Sequence, residues 1–350
     1  MKKFVSLFLS LAFAGSTFAQ MSGYSTSQSD GTTLGANETL TADGIALGNA
    51  VKLRGYVNTI LHRQDESGAG NTADDGTFIN GDVDFLIDLS PITAEVHLAA
   101  GDDANVGSNP SGNNVGLEQA FGRYSFNQDF HLTFGRQVTI LGFDSDEWTN
   151  RYAVTTAYGG NANQNNGRGY VDGMRLNYNN GMFGFVIGLH DHYNINNDGN
   201  DLDDGLAIDI AAAVEFFPGL EARLGFANEN GDDTVANSDD ATRINTWIAW
   251  QPNDLTLALE FDHIDLDNNE DAWNLMLLAN YQFSDFFGAT LRYSHMDHDD
   301  AGTDEESDKI TLALLFTLTE NFDLNLEYSH IDNEGGNDEN QFYLQALLSY

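Results

Sequence analysis

The sequence contains no cysteine and few basic residues, and both absences narrow the range of functions. Without cysteine the chain can form neither a disulfide framework nor a thiolate metal site. Fourteen Lys and Arg residues stand against fifty-four Asp and Glu residues, which gives a formal net charge of −40. The sequence has no basic stripe for a nucleic acid and no glycine-rich phosphate loop. It also has no apolar segment of the roughly 20 residues that a transmembrane helix needs.

The first nineteen residues have the pattern of an export signal. Two lysines give a charged start, Phe4–Ala14 is apolar, and Thr17–Ala19 provides a cleavage site. This pattern predicts a secretory signal peptide over residues 1–19, because the apolar run is too short for a membrane anchor. Cleavage after Ala19 would leave twelve basic residues and a net charge of −42.

One short pattern recurs four times in the C-terminal part of the chain. Each copy alternates apolar and polar residues, reaches an aromatic residue and then runs into Asp, Asn, Gly and Glu. The copies are Leu220–Asn230, Leu255–Asp265, Phe287–Asp297 and Phe322–Asp332, and their aromatic residues are 35, 32 and 35 positions apart. Alternation with a period of two places the two sets of side chains on opposite faces of a β-strand. The repeated unit is therefore a β-hairpin followed by a long polar loop.

Sixteen alternating segments can be placed between Val51 and Tyr350. They lie near residues 51–63, 77–89, 92–101, 117–126, 130–138, 169–178, 182–193, 205–217, 219–229, 242–251, 255–265, 272–283, 286–296, 309–319, 322–332 and 341–350. Short connections of turn-favouring residues alternate with long ones rich in Asp, Asn and Gly. This pattern predicts an all-β fold, a transmembrane antiparallel β-barrel of about 16 strands over residues 51–350, with short periplasmic turns and long acidic extracellular loops.

The two faces of the segments differ as such a barrel requires. Along residues 272–283 one face is apolar and has aromatic residues at both ends, from Trp273 to Phe283, as expected for a lipid-facing stripe. The inner faces carry charges that a water-filled interior accepts and a packed core does not. These charged residues are Lys52, Arg54, Asp82, Asp84, Glu95, Arg123, Arg175, Glu221, Arg223, Glu260, Arg292 and Glu327. A barrel of sixteen strands leaves room for an aqueous channel.

The chain resembles bacterial outer-membrane porins, and most closely the OmpL-like β-barrel porin family. The resemblance is specific over residues 116–190 and generic over the rest of the barrel. It is carried by Gly116–Gly142 (GLEQAFGRYSFNQDFHLTFGRQVTILG), Phe143–Trp148, Asn150–Gly159 and Arg168–Tyr178. The resemblance implies a pore in the cell outer membrane and assigns no substrate.

The longest loop, Leu141–Gly167, is the predicted functional site. If it folds inward, as the third loop of porins commonly does, its carboxylates would face a basic strip on the wall. Such an arrangement creates a transverse field across a constriction. The predicted constriction residues are Arg54, Arg123, Arg136, Arg175, Asp144, Asp146, Glu147 and Arg151. In the alternative, the loop lies outside on the rim and the arginines pair with acids of the lumen.

Arg136 requires a further condition. It has the same parity as Phe130, Leu132 and Phe134. It therefore points into the lumen only if a bulge near Gly135 shifts the register of the strand.

The acidic loops predict the charge preference of the channel. Negative charge is densest in Asp297–Asp308, where it would gather cations at the mouth; it would also suit a solvated surface in a salty medium. This segment matches a calcium loop at several positions, but Ala301 breaks the pattern and its flanks are strands. We therefore predict no cofactor and no dedicated metal site, only loose binding of divalent cations by the loops.

The predicted function is a porin for passive diffusion of small hydrophilic solutes and ions, with a preference for cations. Its partners would be outer-membrane lipids and these solutes, and a homotrimer is compatible with the outward faces. Ser294-His295 and Ser329-His330 suggest hydrolase chemistry, but neighbouring strand residues face opposite sides, so we predict no enzyme. A structural or adhesive barrel that uses its acidic loops stays an alternative, as does, with less support, a barrel enzyme.

Residues 20–50 are rich in Ser, Thr, Gly and Ala. This composition predicts a flexible N-terminal periplasmic segment. A short helix that plugs the base of the pore is the alternative.

Overall fold

The computed structural model of the protein describes residues 34–40, 42–67, 73–101, 114–144, 147–158, 169–193, 205–231, 240–266, 270–300 and 303–350. The predicted signal peptide, Asp146 and the loop tip at residues 159–167 lie outside the described residues. No helix in the described ranges is long and apolar enough to cross a membrane.

The described residues form a closed barrel of sixteen antiparallel strands, preceded by a two-residue strand β1 (Ile45–Ala46). The barrel strands are β2 (Val51–Glu66), β3 (Ala73–Leu89), β4 (Ile92–Gly101), β5 (Asn114–Ser125), β6 (Phe130–Val138), β7 (Tyr170–Asn179), β8 (Phe183–His190), β9 (Gly205–Phe217), β10 (Leu220–Gly231), β11 (Ala241–Trp250), β12 (Leu255–Leu266), β13 (Glu270–Ser284), β14 (Phe287–Asp300), β15 (Thr303–Thr319), β16 (Phe322–Asn333) and β17 (Glu339–Ser349). Two short 3-10 helices span Glu38–Leu40 and Trp148–Asn150. The predicted strand number and antiparallel order are confirmed.

The barrel closes by pairing its last strand with its first. Leu344 of β17 lies opposite Leu61 of β2, and every other strand pairs with its neighbours in the sequence. Each of the sixteen described barrel strands thus has a partner on both sides, which a lipid environment demands because it offers no hydrogen bonds to free backbone groups.

Side chains alternate between an apolar outer face and a polar lumen. On β12, Leu257 and Leu259 point outward and are exposed, whereas Glu260 is buried on the inner face. Near the short turns the outer face carries a band of aromatic rings, in which Phe283 lies 5.3 Å from Phe287 between ring centroids. Aromatic residues concentrate at such depths because their amphipathic rings suit the boundary between lipid and water.

The segment predicted as the acidic loop Asp297–Asp308 is largely part of a hairpin. Strand β14 continues to Asp300 and β15 starts at Thr303, with Asp297 paired with Glu306. Hydrophobic alternation could not indicate this extension, because both faces of a strand that projects beyond the membrane meet water. Backbone pairing between β14 and β15 alone extends the hairpin beyond the alternating segments.

Residues 34–40 lie against the inner wall at the end where the short turns are, and residues 42–46 lead from there to a short pairing with β2. We call them the N-terminal strap. The 3-10 helix Glu38–Leu40 within it contacts β3 and β4, and Ile45 pairs with Leu53 of β2. The strap therefore runs along the wall before the chain enters the first barrel strand.

Candidate functional site: a loop folded into the lumen

The segment between β6 and β7 crosses the inside of the barrel. The Phe143 amide donates to Glu260 Oε1 on β12 at 2.6 Å. The Thr290 hydroxyl on β14 donates to the Tyr152 carbonyl oxygen at 2.5 Å. These wall residues face the lumen and come from strands far from β6 around the barrel. The described part of the loop therefore folds inward, which was one of the two alternatives open from the sequence.

A cluster of apolar side chains on the wall, which we call the apolar seat, holds the loop. Phe143 stacks on Tyr152 with ring centroids 5.7 Å apart and meets Trp247 of β11 edge-on at 5.4 Å. Met276 and Leu278 of β13 complete this buried cluster. The sequence places apolar side chains at inward positions here, where most of the wall is polar. Burial of such side chains contributes roughly 1.5–3 kcal/mol each, so the seat fixes the loop in position.

Two basic side chains of the wall bind the loop beside this seat. Arg292 of β14 donates to Asp144 Oδ2 at 3.2 Å and to the Thr156 carbonyl oxygen at 2.8 Å. Lys309 of β15 donates to the Thr155 hydroxyl at 2.9 Å. The Thr155 amide in turn donates to Glu327 Oε2 at 2.9 Å. One end of the described loop is thus tied to β14, β15 and β16 by charged groups.

Strands β2 to β5 carry a mixed set of charges that is dominated by acids. Arg54 Nε lies 2.8 Å from Asp84 Oδ2, and Arg123 Nη1 lies 2.9 Å from Glu95 Oε1. These carboxylates are almost fully buried. Each arginine on this wall is therefore engaged by an acid of its own or a neighbouring strand.

The loop brings Glu147 to this acidic wall. Asp82, His97, Glu118 and Glu147 each place a ligand atom within 4.8 Å of the others, so among the described residues this group has the spacing to hold a metal ion. Both ring nitrogens of His97 already have partners, because Nε2 lies 3.0 Å from Glu95 Oε2 and Nδ1 lies 3.0 Å from Gln119 Nε2. We therefore assign no metal to the group and treat it as a cluster of acids that becomes negative as its carboxyl groups ionise.

Burial and neighbouring charge change the acidity of the Glu147 carboxyl. Desolvation, followed by the carboxylates of Glu118, Asp84 and Asp82, raises the pKa of Glu147 well above its ordinary value. Both effects disfavour the charged form. The loop thus carries a carboxyl that takes up a proton far more readily than a solvated glutamate does.

A bulge explains how Glu118 joins this group. The pairing of β4 and β5 shifts register between His97 and Leu98, so that Gln119 lies opposite His97 while Leu117 lies opposite Leu98. Glu118 is the extra residue, and Tyr170 donates a hydrogen bond to it. Bulges redirect side chains in this way.

The other predicted constriction residues lie in different places. Arg175 faces the lumen and pairs with Asp209 of β9 at 2.7 Å. Arg151 lies on the loop, where its guanidinium sits 3.7 Å from the centroid of the Trp148 ring. Asp146 is outside the described residues.

Arg136 is not brought to the lumen. It pairs with Asp172 of β7 at 2.8 Å, and both have the parity of outward-facing residues such as Phe134 and Met174. Gly135 has a φ of +118°, but the β6 pairings with β5 and β7 run without a register shift. The condition that would turn Arg136 inward is therefore not met.

The predicted opposition of loop acids and wall arginines takes another form in the structure. Asp144 contacts Arg292, and Glu147 joins other acids, whereas Arg123 pairs with an acid of the wall. Sequence reasoning placed Arg292 among the inner charges but not at the constriction, and it missed Lys309. Only the inward parity of these residues signalled them, because their contacts with the loop span some 150 positions of the chain.

A closed barrel with an apolar outer face, a charged lumen and a loop folded into it defines an outer-membrane channel. Residues 6–336 match the family of Gram-negative porins, and the chain belongs to that family. It is an outer-membrane channel protein, and its family and fold point to a channel rather than an enzyme. A search of curated proteins finds no match to this chain.

Solved structures share the fold at low sequence identity. OmpF of Salmonella typhi in complex with daunomycin is 14% identical, with a TM-score of 0.62, 86% of this chain covered and 98% of that chain. The anion-selective porin of Comamonas acidovorans is 15% identical, with a TM-score of 0.61 and coverage of 86% and 99%. A trimer form of OmpT of Vibrio cholerae is 14% identical, with a TM-score of 0.60 and coverage of 86% and 100%.

Proposed function

We propose that this porin lets small hydrophilic solutes and ions diffuse passively through a constriction formed by the loop between β6 and β7, and that it prefers cations. The observation that carries the proposal is the position of Glu147 against Asp82 and Glu118. Once these carboxyl groups are ionised, a permeating cation would meet their negative charge where the loop narrows the lumen. An anion would be repelled there, and a narrow gap of low dielectric amplifies each charge.

The arrangement of the basic groups supports the same preference. Arg54, Arg123 and Arg175 each pair with a carboxylate at 2.7–2.9 Å. Arg292 and Lys309 are engaged by the loop. Positive charge on the wall is thus largely neutralised by acids. The chain as a whole adds an excess of forty negative charges, which attracts cations to both mouths.

The sign of the preference must come from side chains and not from the barrel. The Comamonas protein is described as anion-selective, yet it shares this fold at a TM-score of 0.61. We therefore base the proposal on the residues of this chain. We propose as its constriction residues Arg54, Arg123, Asp144, Glu147, Arg151 and Arg175.

Single-channel recording in planar bilayers tests the proposal. We expect steady openings and, in a salt gradient at low ionic strength, a reversal potential of the sign that cation permeation gives. A folded barrel without openings would contradict the channel. Openings with anion preference would contradict the role given to the Glu147 group while leaving the channel intact.

We also propose that the porin assembles as a homotrimer after export by its signal peptide. The trimer form of OmpT, which has the same fold, supports the assembly. Chemical cross-linking in detergent should give a ladder that ends at three copies, and a ladder that ends at one or two would contradict the trimer. Mass spectrometry of the mature chain should find Gln20 at its N-terminus.

A further inference from the structure

The N-terminal strap lies at the periplasmic end of the lumen, and its contacts are specific. Asn37 Nδ2 donates to Thr93 Oγ1 at 3.2 Å and to Ser125 Oγ at 3.3 Å. Thr93 lies at the start of strand β4, just after the short turn from β3, and Ser125 ends strand β5, just before the short turn to β6. Both hydroxyls belong to inward-facing positions. Asn37 therefore joins the strap to the inner surface just above the periplasmic rim.

The strap also enters the ion pair of the wall. Arg123 donates to Asn37 Oδ1 at 3.3 Å and to the Thr39 hydroxyl, and that hydroxyl donates to Glu95. Thr39 is almost fully buried. The strap thus covers the pair formed by Arg123 and Glu95, and it takes donor groups of Arg123 that would otherwise face water in the lumen.

Two further contacts fix the ends of the strap. At its start, the Leu34 carbonyl oxygen accepts from Asn179 Nδ2 at 2.8 Å, and the Leu34 side chain is buried in one cluster with Ile140 and Val186. At its end, Lys52 Nζ donates to the Ala42 carbonyl oxygen at 2.6 Å. Ile140 begins the loop that crosses the lumen, so the strap and the loop share a packed cluster. These contacts hold the strap in place at both ends.

The strap brings negative charge and no positive charge. Its acidic residues are Glu38 and Asp43, and it contains neither Lys nor Arg. Glu38 lies on the 3-10 helix that contacts β3 and β4, and Asp43 is exposed near the start of β2. Two acids at the periplasmic end of a channel favour cations over anions. The strap also reduces the cross-section that the barrel wall alone would leave, because its backbone occupies space inside the wall of β2 to β8.

We propose that the N-terminal strap is a fixed second selectivity element of the pore, which narrows its periplasmic end, covers Arg123 and adds negative charge there. The proposal rests on the channel function proposed above. The loop between β6 and β7 crosses the middle of the barrel, and the acidic hairpins lie at its other end. Neither of them can therefore narrow the periplasmic end.

The absence of native cysteine makes the position of the strap directly testable. In the full chain, Asn37→Cys combined with Ser125→Cys should be joined by a short bifunctional thiol reagent, because the native side chains are 3.3 Å apart. Asn37→Cys with Asn280→Cys is the matched control, since Asn280 faces the lumen on β13, eight strands away around the barrel. We expect rapid cross-linking of the first pair only. Equal or absent cross-linking of the first pair in a folded barrel would overturn the proposal.

Measurements of ion selectivity show whether permeating ions pass close to the strap. Glu38→Gln with Asp43→Asn should lower the cation-to-anion permeability ratio by about twofold at low salt. Asp285→Asn with Glu320→Gln removes the same charge from exposed periplasmic turns and should change the ratio much less. Equal effects of the two double variants would place the strap outside the ion path. If the unmodified protein does not conduct at all, the channel function fails instead, so the two failures are distinguishable.

The hydrogen bonds of the strap provide a third measurement. Asn37→Ala with Thr39→Ala leaves the pair of Arg123 and Glu95 intact but releases the strap from it. We expect a conductance increase of about 1.5-fold and a shift toward anions, because Arg123 becomes accessible. Ser294→Ala, which removes another buried lumen hydroxyl on β14, is the control without effect. Unchanged conductance and selectivity in the first variant would contradict a role for these bonds.

Discussion

Arg292 of β14 and Asp144 of the loop form an ion pair at 3.2 Å, and their side chains are 1% and 2% exposed. Asp144 also accepts the Ala157 amide at 2.7 Å. The pair therefore links the wall to the loop and, at the same time, closes the loop on itself. Because both charges are shielded from bulk water, removal of one partner leaves the other unpaired in a poorly solvated site.

We first predict the effect of breaking this pair. Arg292→Met should weaken docking of the loop by about 3–5 kcal/mol, the cost of leaving a buried charge without its partner. Hydrogen exchange of the Ala157 and Thr155 amides, which are bonded to Asp144 and Glu327, measures this directly. As docking of the loop weakens, single-channel currents should become larger and noisier.

The double variant Arg292→Met with Asp144→Asn is the control for this prediction. It removes both charges, so it should lose less protection than the two single variants together. Additive losses would mean that the ion pair does not hold the loop.

The architecture was accessible from the sequence because the barrel repeats one physical rule. Outward positions must be apolar in lipid and inward positions polar, so the strands from Val51 onward alternate with period two. Where that rule ends, prediction failed. Beyond Met296 both faces of the β14–β15 hairpin meet water, and the strand was predicted too short.

The site was less accessible, because its contacts join residues far apart in sequence. Asp144 and Glu147 were identified by charge and by their place in the longest loop. Their partners Arg292 and Asp82 come from strands whose register with the loop no periodicity specifies. The strap shows the same limit, since composition alone could not indicate that Asn37 and Thr39 bond to Arg123.

A second prediction concerns the apolar seat. Phe143→Ala should destabilise the docked loop by about 3–5 kcal/mol, because it leaves a cavity beside Tyr152 and Trp247. Conductance should rise and fluctuate as the loop leaves the wall. The matched control is Phe261→Ala, the same change on the lipid-facing side of β12, for which channel currents should stay as they are. Indistinguishable currents in the two variants would show that the seat does not hold the constriction.

A third prediction concerns pH. The pKa of Glu147 is raised, so its carboxyl is neutral below that raised value and charged above it. Cation preference should therefore increase with pH through a transition well above the ordinary carboxyl range, since negative charge appears in the constriction there. Reversal potentials recorded over a pH series measure this transition. Glu147→Gln should abolish it, and Asp297→Asn in the projecting hairpin should leave it in place. A transition that survives Glu147→Gln would assign it to another group.

The last prediction separates the charge of the constriction from that of the mouth. Glu147→Gln with Asp82→Asn removes two carboxyl groups that are buried at the loop, while Asp297→Asn with Asp299→Asn removes two from the hairpin that projects into solvent. At low salt both pairs should lower cation preference, because fields from solvent-exposed charges reach about 10 Å at 0.1 M salt. At 1 M salt this reach falls to about 3 Å, so the effect of the hairpin pair should vanish. The effect of the constriction pair should persist, because these buried groups act on the lumen through protein of low dielectric, where mobile ions do not screen their charge. Permeability ratios from reversal potentials at both salt concentrations decide the matter. If the constriction pair loses its effect at high salt as completely as the hairpin pair, ions do not pass close to Glu147, and the loop is not the selectivity element.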